Sequence, residues 1–183
     1  IQHQKFGLDS YDDFLDGFKK LPNKIEQVCK ESRKDAKIFA KKFENASPIY
    51  VLGSGPSFEV AYATSLCLFM EMQWIPSPSI HSGEFFHGAL EITDKDVPFW
   101  LFMNEGKTRH LDERLLEFLL RFDANVSVID SKDYAISNEF SNNVVDYFNP
   151  MILTGVMRTY AEELSYLREH PLSKRRYMWK LTY

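Results

Sequence analysis

The sequence predicts an α/β fold in which a mainly parallel sheet of about five strands lies between two layers of helices. Two observations lead to this prediction. Short apolar runs alternate along the chain with longer helical segments, which is the order that βαβ units require. The strongest of these runs, 97–103, is apolar throughout, which is typical of a strand covered on both faces of a parallel sheet.

Composition and charge narrow the class of protein. Of the 183 residues, 44% are apolar and 26% are charged, which suits one globular core. The net charge is −4, although residues 171–183 carry four bases and no acid, so the body is more acidic still. An acidic body argues against nucleic-acid binding. Two cysteines exclude a disulfide framework, and no apolar run reaches the roughly 18 residues of a membrane span.

The first 46 residues are predicted to be a linker with helices. Residues 2–9 are polar and suggest the linker, and a helix is predicted from about Ser10, with two aspartates in its favourable first turn. Pro22 suits the first turn of a second, longer surface helix that carries apolar residues at helical spacing as far as Phe43.

A domain is predicted over residues 47–170. It opens with strand 48–53, a glycine turn, and helix 58–72, which is apolar nearly all round and is therefore expected to be buried. The further elements, in order, are a short strand within 74–80, strand 97–103, helix 108–122, strand 126–130, an ambiguous segment 144–148, and a last helix from Asn149 to about His170. The ambiguous segment is either a last strand or the approach to the last helix.

The glycine turn is the first candidate binding site. Ligands of parallel α/β sheets bind at the carboxyl ends of the strands, where this turn lies. The Gly55 backbone and the Ser54 and Ser57 hydroxyls would suit a phosphate or a sugar. The turn lacks the Gly-Lys-Ser/Thr of a Walker A loop, and Phe58 replaces the third glycine of a dinucleotide fingerprint. A plain tight turn explains it equally well.

Glu71 is the most unusual carboxylate in the sequence. It lies between two methionines near the end of the apolar helix, where burial and the negative end of the helix dipole disfavour its ionised form. Such a group would suit a proton shuttle. The alternative is a glutamate that reaches solvent at the helix end.

His81, Glu84 and His87 form the densest polar cluster, between two glycines and just past a predicted strand. Their spacing allows a metal site, but it is not the H-E-x-x-H motif and no Cys or Asp nearby completes a ligand set. A catalytic imidazole that exchanges protons near neutral pH fits better. A purely structural turn is the other explanation.

Three stretches together carry a resemblance: 50–55 with its helix, 69–75 leading into 81–88, and the tail 170–180. They resemble the second sugar isomerase (SIS) domain of phosphosugar-processing proteins, and more closely the fructosamine-6-phosphate deglycases. The resemblance implies a cytoplasmic enzyme that hydrolyses fructoselysine 6-phosphate or a similar compound to glucose 6-phosphate and a free amino acid. It also implies that no metal or organic cofactor is needed.

The resemblance assigns roles to individual residues. Glu71 matches the glutamate that moves a proton between C1 and C2 of the sugar. His87 matches a histidine that acts as acid and base on the sugar oxygens and is supplied across a homodimer interface. Glu84 would have a positioning role, and Lys180 would approach the site from the tail. Leu68 stands where the glucosamine-6-phosphate synthase branch has a lysine, which counts against a synthase-like isomerase.

Members of this family have two SIS domains, and the first supplies the loops that bind the sugar phosphate. We therefore expect the chain to be the C-terminal half of a longer enzyme, completed by that missing N-terminal domain, with residues 171–183 as a basic and aromatic tail. Two other functions stay open: an aldose–ketose phosphosugar isomerase, which uses the same proton transfer, and a phosphosugar-binding regulatory module without catalysis.

Overall fold

The computed structural model describes residues 2–182 and confirms the α/β class, so that Ile1 and Tyr183, the ends of the predicted linker and tail, lie outside the described residues. The strands are β1 (Tyr50–Gly53), β2 (Ser79–His81), β3 (Pro98–Met103) and β4 (Asn125–Asp130). They form one parallel sheet in the order β2-β1-β3-β4. The described residues thus contain four strands where about five were predicted.

The helices are α1 (Gln2–Phe6), α2 (Tyr11–Glu31), α3 (Arg33–Phe43), α4 (Pro56–Ala63), α5 (Arg109–Arg121) and α6 (Val145–Leu167). Helix α4 continues directly into a ten-residue π-helix, Thr64–Gln73. Short 3₁₀ turns cover Phe85–His87, Ala89–Ile92, Ser131–Tyr134 and Ile136–Asn138. Within residues 2–182, no helix combines the length and the apolar character that crossing a bilayer would require.

The sheet is covered on both faces, and β3 shows this most clearly. Trp100 and Phe102 contribute to one apolar cluster with residues of α3, α4 and α6, while Phe99, Leu101 and Met103 contribute to another with residues of α5. All six residues of β3 are buried. Because successive side chains of a strand point to opposite faces, this division confirms the predicted three layers.

Several predicted boundaries are wrong. Helix α2 runs through Pro22, and the break comes at Ser32 instead. A proline has a helix-compatible φ and removes one hydrogen bond, and here apolar residues on both sides of it, Phe14 and Ile25, pack against the core and hold the helix together. Part of the predicted polar linker is helical, as α1. Segment 144–148, which the sequence left open, mostly belongs to α6, so the approach to the last helix is the correct alternative.

The apolar helix predicted over 58–72 is not buried all round. Its outer face exposes Tyr62, Leu66 and Met70, and Cys67, predicted to be a buried small hydrophobe, is exposed as well. The apolar pattern therefore describes a helix with one face in this core and one apolar face that residues 2–182 leave partly exposed. The separation of a linker at residue 46 stays a proposal, because α2 and α3 also pack on α6.

Candidate active site

The carboxyl ends of the strands meet at a buried carboxylate, Asp112 of α5. Ser82, after β2, donates to Asp112 Oδ1 at 2.6 Å, and Asn104, after β3, donates from Nδ2 to Oδ2 at 3.1 Å. Burial raises the pKa of Asp112, while the hydrogen bond from Ser82 opposes that shift. The edge at which an α/β sheet usually binds its ligand is occupied here by the protein's own polar groups.

The glycine turn, like the strand edge, is occupied by the protein's own polar groups. The Ser54 hydroxyl is fully buried and donates to the Thr108 carbonyl at 3.0 Å. The Gly55 N–H points to His81 Nε2 at 3.4 Å. Of the predicted binding groups, the buried Ser57 hydroxyl has no hydrogen-bond partner among residues 2–182. Substrate-binding roles for Ser54, Gly55 and Ser57 stay predictions.

Replacing Gly55 by alanine is expected to destabilise the domain by about 1–3 kcal/mol, because its φ of 50° strains any other residue and a Cβ would overlap the Thr108 hydroxyl. Thermal unfolding would measure this as a fall in Tm of about 2–4 °C per kcal/mol. Gly7→Ala is the control, because Gly7 also has a positive φ (72°) but a Cβ there would meet no atom within 4 Å. An equal, small loss in both variants would contradict the steric argument.

Glu71 lies elsewhere, in the wall of a cavity of about 610 Å³. The cavity lies between the end of the π-helix and the tail, and it is lined by Leu66, Met70, Glu71, Trp74, Ile75, Pro76, Arg175, Arg176, Tyr177 and Met178. Arg175 Nη2 lies 2.7 Å from Glu71 Oε1, and their side chains are 8% and 21% exposed. Glu71 is therefore neither isolated in an apolar core nor free in solvent, because it faces the cavity in an ion pair.

The tail folds back to hold Arg175 in place. Arg175 Nη1 donates to the Leu172 carbonyl at 2.8 Å, and Lys180 Nζ donates to the Arg175 carbonyl at 2.7 Å. Lys180, predicted to approach the site, thus contacts the backbone of the residue that binds Glu71. It is not among the residues that line the cavity.

The backbone around Glu71 is unusual. Glu71 belongs to the π-helix, a form that is rare and is found frequently at functional sites. Trp74 ends that helix in a left-handed conformation, φ 56°, which is uncommon for a bulky residue, and Ile75 donates to the Phe69 carbonyl at 2.9 Å. This geometry brings Glu71 and Trp74 into the same cavity wall. The strand predicted within 74–80 is therefore present only at its end, as β2 (Ser79–His81).

His87 and Glu84 lie outside this cavity. His87 ends the 3₁₀ turn Phe85–His87, its Nδ1 hydrogen-bonds Glu84 Oε2 at 3.0 Å, and the two side chains are 74% and 70% exposed. Fully buried Phe85 anchors the turn. One chain therefore does not bring Glu71 and His87 to a common cavity. Within residues 2–182, no group of three His, Cys, Asp or Glu side chains is placed to hold a metal ion.

Known proteins are similar to this chain in sequence. No family profile matches the chain. Fructosamine deglycase FrlB of Bacillus subtilis is 42% identical over 173 residues, or 94% of this chain and 52% of that protein. Fructoselysine 6-phosphate deglycase of Escherichia coli K12 is 30% identical over 159 residues, or 87% of this chain and 45% of that protein.

Solved structures are similar to this chain in both fold and sequence. A protein of Salmonella typhimurium assigned as a phosphosugar isomerase matches with a TM-score of 0.95 and 38% identity, over 100% of this chain and 56% of that chain. The chain has the sugar isomerase (SIS) fold. A second structure, from Bacillus subtilis, matches this SIS domain with a TM-score of 0.94 and 39% identity. The SIS domain described here spans about half the length of these relatives.

Sequence reasoning missed two sets of residues in this SIS domain. The first is the pair Asn104 and Asp112, which fill the strand edge; an isolated Asn after a buried strand gives little signal. The second is Arg175 together with Trp74, which shape the Glu71 cavity. The acid-free tail was a signal for the second set, but charge arithmetic does not say which carboxylate a basic tail contacts.

Proposed function

We propose that this SIS domain is the C-terminal half of a cofactor-independent fructosamine-6-phosphate deglycase. Such an enzyme hydrolyses an amine-linked ketose phosphate to glucose 6-phosphate and a free amino acid in the cytoplasm. The observation that carries the proposal is Glu71 itself, a half-buried carboxylate held by Arg175 in the wall of a mostly apolar cavity. The deglycase relatives, about twice as long as this chain, support both the activity and a missing N-terminal half.

The chemistry requires one group that moves a proton between neighbouring carbons. Glu71 takes a proton from C1 of the open-chain ketoamine, and the C2 carbonyl becomes the hydroxyl of an enaminol. Returning a proton to C2 leaves an imine at C1, and water adds to that imine. The carbinolamine collapses to the C1 aldehyde of glucose 6-phosphate and releases the amine, so one water is consumed for each substrate.

The geometry of Glu71 suits this transfer. Arg175 binds Oε1, and no residue among 2–182 hydrogen-bonds Oε2, which leaves that oxygen for the substrate. The ion pair fixes the carboxylate in one orientation, and fixed orientation is a large part of enzymatic rate enhancement.

The second acid–base group in this proposal is His87 of a partner subunit in a homodimer. Its exposure and its hydrogen bond to Glu84, which uses Nδ1 and not Nε2, suit a role in a neighbouring site. The phosphate-binding loops belong to the missing N-terminal domain, because the turn at Gly55 is closed against Thr108 and Asn104 in this chain.

The test is product analysis with the full-length protein. With fructoselysine 6-phosphate and a chelator present, we expect glucose 6-phosphate and lysine in equal amounts, measured by coupled assay and chromatography. Fructose 6-phosphate supplied alone is expected to give no comparable amount of glucose 6-phosphate. Interconversion of those two sugars at a similar rate would show an isomerase, and binding without any product would show a regulatory module.

A further inference from the structure

The charges around the Glu71 cavity do not cancel. Three charged side chains line it: Glu71, Arg175 and Arg176. The first two neutralise each other in the ion pair. Arg176 forms no hydrogen bond or ion pair with any residue among 2–182. The cavity therefore carries one uncompensated positive charge, which favours an anionic group on whatever it binds.

A cation–π contact with Trp74 orients the exposed Arg176 side chain. Its guanidinium carbon lies 4.2 Å from the centre of the Trp74 ring, well within the range of a cation–π contact. Trp74 is fixed in turn by its place at the end of the π-helix and by His170, whose ring meets it edge-on at 4.5 Å. A guanidinium stacked by its face keeps its N–H groups free at the edge, where a carboxylate can bind through two parallel hydrogen bonds.

The rest of the cavity wall is mostly apolar, from Leu66, Met70, Trp74, Ile75, Pro76, Tyr177 and Met178. Such a wall offers few partners for the hydroxyl groups of a sugar, and leaving those groups unpaired would be costly. It suits the aliphatic part of an amino acid. The cavity thus combines an apolar wall with one free guanidinium, next to the carboxylate proposed to act at C1.

We propose that this cavity binds the amino-acid portion of the substrate, with Arg176 binding its α-carboxylate and the apolar wall receiving its side chain. The inference rests on the proposed function, because it takes Glu71 to act at C1. The amine nitrogen is bonded to C1, and in an α-linked amino acid the carbon that carries the carboxylate comes next. The group that extends from C1 beside Glu71 therefore enters the same cavity that Arg176 lines.

The test compares two substrates that differ by one charge. The full-length enzyme is supplied with the fructosamine 6-phosphate of alanine and with that of alaninamide, which replaces the carboxylate by a neutral amide. We expect kcat/KM to be about 10- to 100-fold higher for the acid. Arg176→Gln is expected to reduce that preference to within about threefold, because a neutral side chain no longer distinguishes a carboxylate from an amide.

Lys174→Gln is the matched control. Lys174 also lies over the Trp74 ring, at 5.0 Å, but it does not line the cavity, so the acid/amide ratio should stay as in the wild type. Hydrolysis of both compounds without preference for the acid would overturn this inference and leave the deglycase proposal standing. Equal slowing of both by Arg176→Gln would overturn it too. Hydrolysis of neither compound by an enzyme that hydrolyses fructoselysine 6-phosphate would overturn the inference alone, whereas failure with fructoselysine 6-phosphate as well would refute the deglycase proposal and the inference with it.

Discussion

Replacing Glu71 by glutamine is expected to lower kcat for fructosamine-6-phosphate hydrolysis by about 10²- to 10⁴-fold, the usual contribution of a general acid–base group. Glutamine has nearly the same shape and can still accept a hydrogen bond from Arg175 through its amide oxygen. It cannot take the C1 proton. The effect should therefore fall on kcat, with KM changed little, in steady-state kinetics of the full-length protein.

A second readout tests the same step without turnover. If Glu71 moves the C1 proton, wild-type enzyme in D₂O should exchange C1 hydrogen of the substrate for deuterium, and Glu71→Gln should not, as seen by NMR. Glu59→Gln is the control, because Glu59 is an exposed glutamate on the preceding helix α4 that does not line the Glu71 cavity. Activity of Glu71→Gln within about threefold of the wild type would rule out the proton-transfer role.

The fold class could be predicted because it depends on patterns that neighbouring residues carry. An apolar strand such as β3 and an amphipathic helix such as α5 show their burial in the order of their residues. Boundaries were less predictable where packing decides them. Pro22 looks like a helix start, yet apolar contacts on both sides of it keep α2 continuous. The π-helix was not predictable, since its residues have the same apolar pattern as an ordinary helix.

The candidate site, like the fold, was predictable from the sequence only in part. Glu71 stood out in the sequence because a carboxylate between two methionines near the end of an apolar helix is unusual. Its partner Arg175 comes from the far end of the chain, and only the folded tail shows that the two meet. The glycine turn looked like an open anion site, because a sequence cannot show that Asn104 and Thr108 fill the space over Ser54.

The second large effect is the loss of activity expected on replacing His87, and its test uses the two-fold symmetry of a homodimer. In a homodimer with a two-fold axis, a histidine supplied across the interface gives each site one subunit's Glu71 and the other subunit's His87. His87→Asn and Glu71→Gln should each be nearly inactive as homodimers. When the two variants are co-expressed with different tags, half of the dimers are mixed, and one of the two sites in each mixed dimer holds both native residues.

The co-expressed variants should therefore recover about one quarter of the wild-type activity, measured on the total protein. If His87 served its own subunit, every site in the mixed dimer would hold one defective residue, and no activity would return.

The reverse experiment gives an independent check. A Glu71→Gln/His87→Asn double variant mixed equally with the wild type should leave about one quarter of full activity in the shared arrangement, and about one half if each subunit is self-sufficient. The 74% exposure of the His87 side chain and its absence from the Glu71 cavity favour the shared arrangement, since the chain's own Glu71 and His87 do not meet in one cavity.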